Sequence, residues 1–414
     1  MTLKILALGD TADNIISLKK FSKNLEIHLI NFPRKQNALL THSTKGVEFF
    51  DSLLISKQVE KVNQIKNKFD LCLVMSWAAA RIAYLANLNY VMYFVGDDII
   101  VPPFIKQPKI SYLSTPILNH NLIERKFYKR ILNKAIACIA PTSEYFNELK
   151  KYRKDAIRMD RIFVDVELFN EHIKPNLNSK EKFTFLSAQR FGLEKGFDVI
   201  WNALPLCKTD FQVLQVKWFI ERTEEEKEIN RKLLEKIPKQ VKFIPLIKRE
   251  NLARYFMSAD AILGQMRAGI QGGIERDAAN CKKPVICYTD VNKKSIIDGE
   301  EIIPPFLPNS KNPKELALLI DKIVESKEFR DNLSEKEYEY IKKISEPNNV
   351  AHDWEKVLEK IHMKCSNINR KDNIFRMKVE NLFANFIEEV YYRKKMKNKN
   401  IQAWGKDNYQ KLTN

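Results

Sequence analysis

Short apolar runs and amphipathic stretches alternate along most of this chain, and that alternation predicts its architecture. In the first 170 residues, Lys4–Leu8, Glu26–Ile30, Leu71–Met75, Tyr90–Val95 and Ala135–Ile139 are continuous apolar runs of strand length. Between them, Asp13–Ser22, Lys57–Lys68 and Leu122–Lys134 carry helical spacing. Strands that are apolar throughout and separated by helices predict a parallel sheet covered on both faces. The polar stretch Glu171–Glu181, which contains Pro175, predicts an interdomain linker. The alternation then restarts. Phe183–Leu186, Val213–Trp218, Val241–Phe243, Ala261–Leu263 and Val285–Cys287 predict strands. Lys195–Leu204, Glu224–Lys236, Arg249–Met257 and Gly273–Cys281 predict helices. Asn312 to about Lys343 reads as helix with Pro313 in its first turn, and Val350–Met363 as another. The fold class expected is α/β: two Rossmann-like, doubly wound parallel-sheet domains facing a cleft, with a helical C-terminal tail. The divisions expected are 1–174, 175–345 and 346–414.

The most membrane-like stretch, Leu71–Val95, carries Arg81 in mid-span and reads as strand, helix, strand rather than as a span. The opening MTLKILALGD reaches Asp10 before any long apolar core, so it reads as a first strand and not as a signal peptide. The six cysteines are scattered without a C-x-x-C pair, which excludes a zinc ribbon or disulfide scaffold and predicts a cytoplasmic setting. A composition 44% hydrophobic and 29% charged is that of a globular chain.

Charge adds one element. Seventy Lys and Arg against 52 Asp and Glu leave the chain at +18, a surface that attracts nucleic acid, anionic lipid or phosphorylated small molecules. No zinc-finger, ribonucleoprotein or basic-region motif accompanies it, so no specific nucleic-acid partner is expected. Two segments leave a membrane-surface role open. Leu122–Lys134 holds Arg125, Lys126, Lys129, Arg130 and Lys134 on an amphipathic helix. In the tail Lys364–Asn414, with 12 Lys and Arg against 5 Asp and Glu, Ile374–Lys395 spaces its apolar residues helically. Each reads either as an interfacial helix at the inner face of the membrane or as a helix docked on the body of the protein.

Candidate chemistry gathers in two places in the second half. Phe183–Leu204 is a strand running into a polar loop with Arg190 and Lys195, then Gly196 and a helix. Two cations at a strand end beside a helix start suit a pyrophosphate. Ser258–Asp290 places Gly264, Gly269, Gly272 and Gly273 between a strand and a helix that carries Glu275 and Asp277. Four of the chain's eleven glycines fall in those ten residues, and glycine lets backbone amides approach an anion. Glu275 also fits a carboxylate held by the helix N-terminus.

These segments resemble the C-terminal domain of retaining GT-B glycosyltransferases of the family 4 type, the glycosyl transferases of group 1. The matches run in order: Gln189-Arg190 followed by Lys195-Gly196-Phe197-Asp198; Ala259-Asp260; the glycine loop; Asp277-Ala278-Ala279-Asn280-Cys281-Lys282-Lys283-Pro284-Val285; Asp298-Gly299-Glu300; and Asn312-Pro313-Lys314-Glu315-Leu316. Val164-Asp165 through Phe169 resembles the family's segment before the linker. The resemblance implies transfer of a sugar from a nucleotide-diphosphate donor to a hydroxyl acceptor, a glycan, a lipid-linked molecule or a small molecule, with retention and in cell-surface glycan biosynthesis. It implies no metal and no cofactor beyond the donor. Arg190 and Lys195 would hold the diphosphate, Gly272 and Gly273 would lie against its phosphates or sugar, and Asp277 would bind the ribose, with Glu275 beside them. Val241–Lys248 would flank the base.

Departures are also visible. The first acid of the family's E-x7-E pattern falls on Gly269, the second is Asp277 rather than Glu, and Gln189 replaces a glycine. Gln265, Gly269 and Gly272 match a subgroup that also lacks the first acid. In Tyr93–Ile99, Gly96 and Asp98 match the family's H-G-x-D, but its histidine is Val95. Asp98 or Asp97 would then be the catalytic base, or else turn-capping aspartates. Two alternatives stay open at this point: a GT-B scaffold that binds a partner without transfer, and a metal-dependent GT-A transferase using Gly96-Asp97-Asp98.

Overall fold

Two parallel sheets organise the chain, as the alternation predicts. The computed structural model describes residues 2–32, 47–52, 54–106, 122–176, 182–219 and 224–365, together with 375, 379, 380 and 382. The N-terminal half contains β1 (Leu3–Leu8), α1 (Asn14–Phe21), β2 (Leu25–Asn31), β3 (Glu48–Phe49), α2 (Ile55–Ile65), β4 (Leu71–Val74), α3 (Trp77–Leu85), β5 (Tyr90–Tyr93), α4 (Asp97–Ile100), α5 (Leu122–Lys134), β6 (Ala137–Ala140), α6 (Ser143–Lys150) and β7 (Ile157–Arg158). Its sheet runs β3-β2-β1-β4-β5-β6-β7, parallel throughout. β4, β5 and β6 are buried at every residue, which is why they read as unbroken apolar runs.

The C-terminal half begins with β8 (Phe183–Ser187), α7 (Phe197–Ala203), β9 (Phe211–Val216), α8 (Glu224–Leu234), β10 (Val241–Ile244), α9 (Arg249–Ser258), β11 (Ala261–Leu263), α10 (Gly273–Asn280) and β12 (Val285–Ile286). Its sheet is β10-β9-β8-β11-β12, again parallel. A hairpin follows, β13 (Ser295–Ile297) and β14 (Glu300–Ile302), and then α11 (Pro313–Glu325), α12 (Lys327–Ser345) and α13 (Pro347–Cys365). The single long helix expected over 312–343 is two. Ser326 ends α11 and caps α12, its Oγ accepting from Phe329 N at 3.1 Å.

Apolar clusters cover both faces of each sheet. α13 belongs to the N-terminal half: Val350, Ala351, Trp354, Leu358 and Ile361 pack with Leu3, Ile5, Ile15 and Tyr93. Glu355 accepts from the backbone N–H groups of Lys23 and Asn24 at 2.6 and 2.8 Å. The chain therefore crosses back to its first domain. Next to that crossing, Arg161 pairs with both Asp298 and Asp353, at 2.7 and 2.9 Å.

In each sheet the strand order reverses once, between β1 and β4 and between β8 and β11. The loops leaving the carboxyl ends at such a reversal form a crevice, where ligands of open α/β sheets bind. Among the described residues, no helix is long and apolar enough to cross a membrane.

Candidate functional site

The loops after β8 and β11 form one assembly. Gln189, the residue standing where a glycine was expected, is buried and donates from Nε2 to Gly264 O at 2.7 Å. Met266 N donates to Lys195 O at 2.8 Å. Arg267 grips both Asp198 oxygens at 2.6 and 2.7 Å and donates to Leu193 O. Gly196 is the contact point. Its φ is +78°, and a Cβ there would lie 2.8 Å from the Met266 carbonyl carbon. Only glycine satisfies both demands.

The two predicted phosphate cations differ. Arg190 Nε donates to Glu194 Oε1 at 2.6 Å, and both side chains are mostly buried. Lys195 has no side-chain ion pair among the described residues, and its charge acts on the Cys287 thiol beneath the loop. Burial, with Glu275 adding to it, pushes that thiol well above its usual range.

Glu275, expected at the donor, is 3% exposed, and both its oxygens hold the loop. Oε1 accepts from Gln265 N and Oε2 from Gly272 N, each at 2.9 Å. Its carboxylate closes the start of α10 in the manner of a capping box. Gly273, the first residue of α10, is different. Its N–H has no acceptor among the described residues, and a Cβ there would meet nothing within 4 Å. An open helix N-terminus is a place for an anion.

Asp277 is also buried, at 3% exposure. Its Oδ2 accepts from Arg249 Nη1 at 2.9 Å, and Arg249 Nε lies 3.2 Å from Asp13 Oδ2 in the N-terminal half. That second contact is an ion pair without hydrogen-bond alignment. Burial raises the Asp277 carboxyl above its ordinary value, and Arg249 opposes the shift.

Across the crevice, α4 opens at Asp97. The side chain of Asp97 lies outside the described residues. Asp98 accepts from Gly96 N at 2.9 Å, so it holds its own turn. The Tyr93 phenol, raised chiefly by burial, feels Arg276 of α10 together with Asp98 and Asp10. Asp10 caps α1, accepting from Ile15 N and Ile16 N at 3.0 Å each. Arg276 reaches back along α10 to Gln271 O at 3.1 Å.

The structure thus brings Arg190, Lys195 and Gly272 onto two joined loops and Gly273, Glu275 and Asp277 onto the helix that follows them, α10, and places Asp98 on α4 of the N-terminal half. Sequence reasoning missed Asp13, Arg249, Arg267 and Arg276, and it noted Gln189 only as a departure from a glycine. Their only signal is a polar residue at the end of an apolar strand or the start of a helix. Among the described residues, no three His, Cys, Asp or Glu side chains gather as metal ligands.

Basic α5 is partly committed. Lys129 Nζ lies 4.8 Å from the Phe104 ring centroid and 5.1 Å from that of Tyr152. Arg130 pairs with Glu380 at 2.8 Å, and Glu380 also accepts from the Tyr84 hydroxyl. One residue of the tail segment 374–395 therefore docks on the N-terminal half. Most of that segment lies outside the described residues.

Comparison with known proteins bears on the fold. No curated protein matches the chain by sequence. Among solved structures, a sucrose-phosphate synthase from Thermosynechococcus elongatus superposes at TM-score 0.62, with 15% identity over 87% of this chain and 100% of that one. HepE from Anabaena, in complex with UDP and glucose, gives 0.61, with 14% identity over 86% and 100%. A glycosyltransferase from Rickettsia africae gives 0.59, with 15% identity over 89% and 100%. The two parallel-sheet domains and helical C-terminus are the GT-B fold of these neighbours, and residues 169–340 match the family model of glycosyl transferases group 1.

Proposed function

We propose that the chain transfers a sugar from a nucleotide-diphosphate donor to a hydroxyl acceptor, with retention of configuration. The observation that carries this reading is the joined pair of loops. They carry Lys195 and lead into the open N-terminus of α10, at the strand reversal of the domain that matches the family model. A neighbour of the same fold, HepE, was solved with UDP and glucose, which makes UDP the first donor base to try.

The chemistry is electrostatic. Departure of a diphosphate concentrates negative charge on its oxygens. Lys195 and the Gly273 amide meet that charge, the Gly272 amide being held by Glu275. Arg190 joins them by exchanging its Glu194 partner for a phosphate oxygen, a swap between two charge-assisted bonds. Asp277 accepts from the ribose hydroxyls. On the facing wall, Asp98 takes the proton of the acceptor hydroxyl. The acceptor is a glycan, a lipid-linked molecule or a small molecule, and work at the inner face of a membrane would use the exposed residues of α5.

The test is a thermal-shift panel with UDP, GDP, ADP and UMP, repeated on Lys195→Ala and Arg190→Ala. Binding to the folded state raises the melting temperature by mass action. A shift for one diphosphate, lost in both variants, supports the site. No shift with any of the four refutes it.

A second reading has its own support. The two acids expected at the donor are occupied, Glu275 by backbone amides and Asp277 by Arg249. A GT-B scaffold that binds without transfer would show this. Diphosphate binding with no turnover of the matching sugar donors would favour it.

A further inference from the structure

We propose that Arg249 couples closure of the two halves to nucleoside binding, acting as a positioning residue for Asp277. The inference rests on the donor reading above and adds a part to it. Arg249 touches three regions at once. Nη1 donates to Asp277 on α10, Nε lies 3.2 Å from Asp13 in the N-terminal half, and the guanidinium sits 4.7 Å from the ring centroid of Phe169, in the segment joining the halves. All three charged side chains are less than a tenth exposed.

One cation therefore serves two carboxylates from different halves. With Asp13 in place, the group carries one net negative charge, and Arg249 is divided between its partners. Asp277 then keeps acceptor strength for the O–H groups of a diol. With Asp13 withdrawn, Arg249 and Asp277 neutralise each other, and a diol meets a weaker acceptor. The closed state binds the nucleoside better. By reciprocity, the nucleoside favours the closed state.

The loop that delivers Asp13 is built to hold it. Ala12 and Asp13 both take left-handed backbone, at φ 55° and 56°, a conformation disfavoured for side-chain-bearing residues. Asp10, three residues earlier, anchors the loop to the amides of Ile15 and Ile16. Asp13 reaches Arg249 from a fixed position, so withdrawing it means moving the whole half. An arginine suits the role because its delocalised charge reaches Asp277 through Nη1 and Asp13 from Nε at once, where a lysine offers a single point charge.

The experiment compares wild type, Asp13→Asn, Arg249→Lys and the double variant. UDP affinity is measured by calorimetry, and the radius of gyration by small-angle scattering with and without UDP. Asp13→Asn keeps the size of the side chain and leaves the Arg249–Asp277 pair intact. It is expected to bind UDP roughly fivefold more weakly or worse, the lower end of typical coupling between sites, and to lose part of the UDP-induced compaction. In the Arg249→Lys background, Asp13→Asn should add much less, because its effect passes through the guanidinium. Wild-type affinity and compaction in Asp13→Asn, or full additivity in the double variant, overturns the coupling while leaving the donor reading standing. Absence of nucleotide binding in the wild type overturns both.

Discussion

Glu275→Ala separates a residue that contacts the donor from one that builds the loop. The wild-type carboxylate accepts from Gln265 N and Gly272 N, each at 2.9 Å. Alanine leaves both donors without it. Gln265 is 1% exposed, so water does not readily replace the lost partner, and an unsatisfied buried N–H costs about 1–3 kcal/mol. Gly272 is only partly buried, and its N–H recovers some hydration, for about 0.5–1.5 kcal/mol. The side chain also packs under Gly264, where an added Cβ would meet Glu275 Cγ at 2.7 Å, so truncation leaves a void as well. The expected loss is about 2–4 kcal/mol, read by urea unfolding of the C-terminal half. Donor affinity should fall with it, because the loop that presents Gly272 and Gly273 loses its brace. Glu275→Gln keeps one accepting oxygen and turns an NH2 toward the other N–H, so it should fall between wild type and alanine. A loss below about 1 kcal/mol with donor binding abolished would refute the reasoning and make Glu275 a donor contact.

Lys195→Ala should lower UDP affinity at least about tenfold, the worth of one charge-assisted bond, while leaving stability nearly unchanged. Titration of the variant against wild type checks this, and unchanged affinity removes the phosphate site. Gly196→Ala imposes a left-handed φ of 78° and a Cβ 2.8 Å from the Met266 backbone, so a loss of at least about 2 kcal/mol is expected in thermal or urea unfolding. A near-neutral variant would show that the two loops are not locked. Glu337 is fully buried beside β12, accepting from Val285 N at 2.8 Å, and burial raises its carboxyl well above the ordinary value. A raised folded value means stability that is complete below the unfolded carboxyl range and is lost as pH rises toward the folded value. Glu337→Gln removes that titration, so its stability relative to wild type should improve as pH rises above about 5. A pH-independent difference between the two proteins contradicts it.

What was legible in the sequence follows from what periodicity encodes. β8 and β11 show as apolar runs because helices cover both faces of their sheet. β3 and β7 do not show, because each is two residues long and neither is buried at both, unlike the equally short β12. The hairpin β13–β14 leaves no apolar run either, since Glu300 and Glu301 in β14 face solvent. α13 is plain as a helix, but nothing local says which half it joins. Trp354 finds Tyr93, with ring centroids 4.8 Å apart, across 261 residues of chain. At the site, the cations and glycines could be named because local spacing places them. The pairing of Arg249 with Asp13 could not, because it exists only once both sheets are built.

The carboxylates show why a site reading needs the structure. A sequence shows that Glu275, Asp277 and Asp98 lie at strand and helix ends, where ligands bind. It does not show that each is engaged by the protein itself, Glu275 by two loop amides, Asp277 by Arg249 and Asp98 by the Gly96 amide. Negative charge in this crevice is largely spent on holding backbone and on the contact between halves. Lys195, without a side-chain ion pair among the described residues, and the Gly273 N–H, without an acceptor among them, are positive or partly so. A crevice with its acids satisfied internally and its cation and helix N-terminus unfilled selects an anion. A diphosphate fits that selection better than a neutral sugar does, which is why the donor's phosphates, and not its sugar, are the first thing to test.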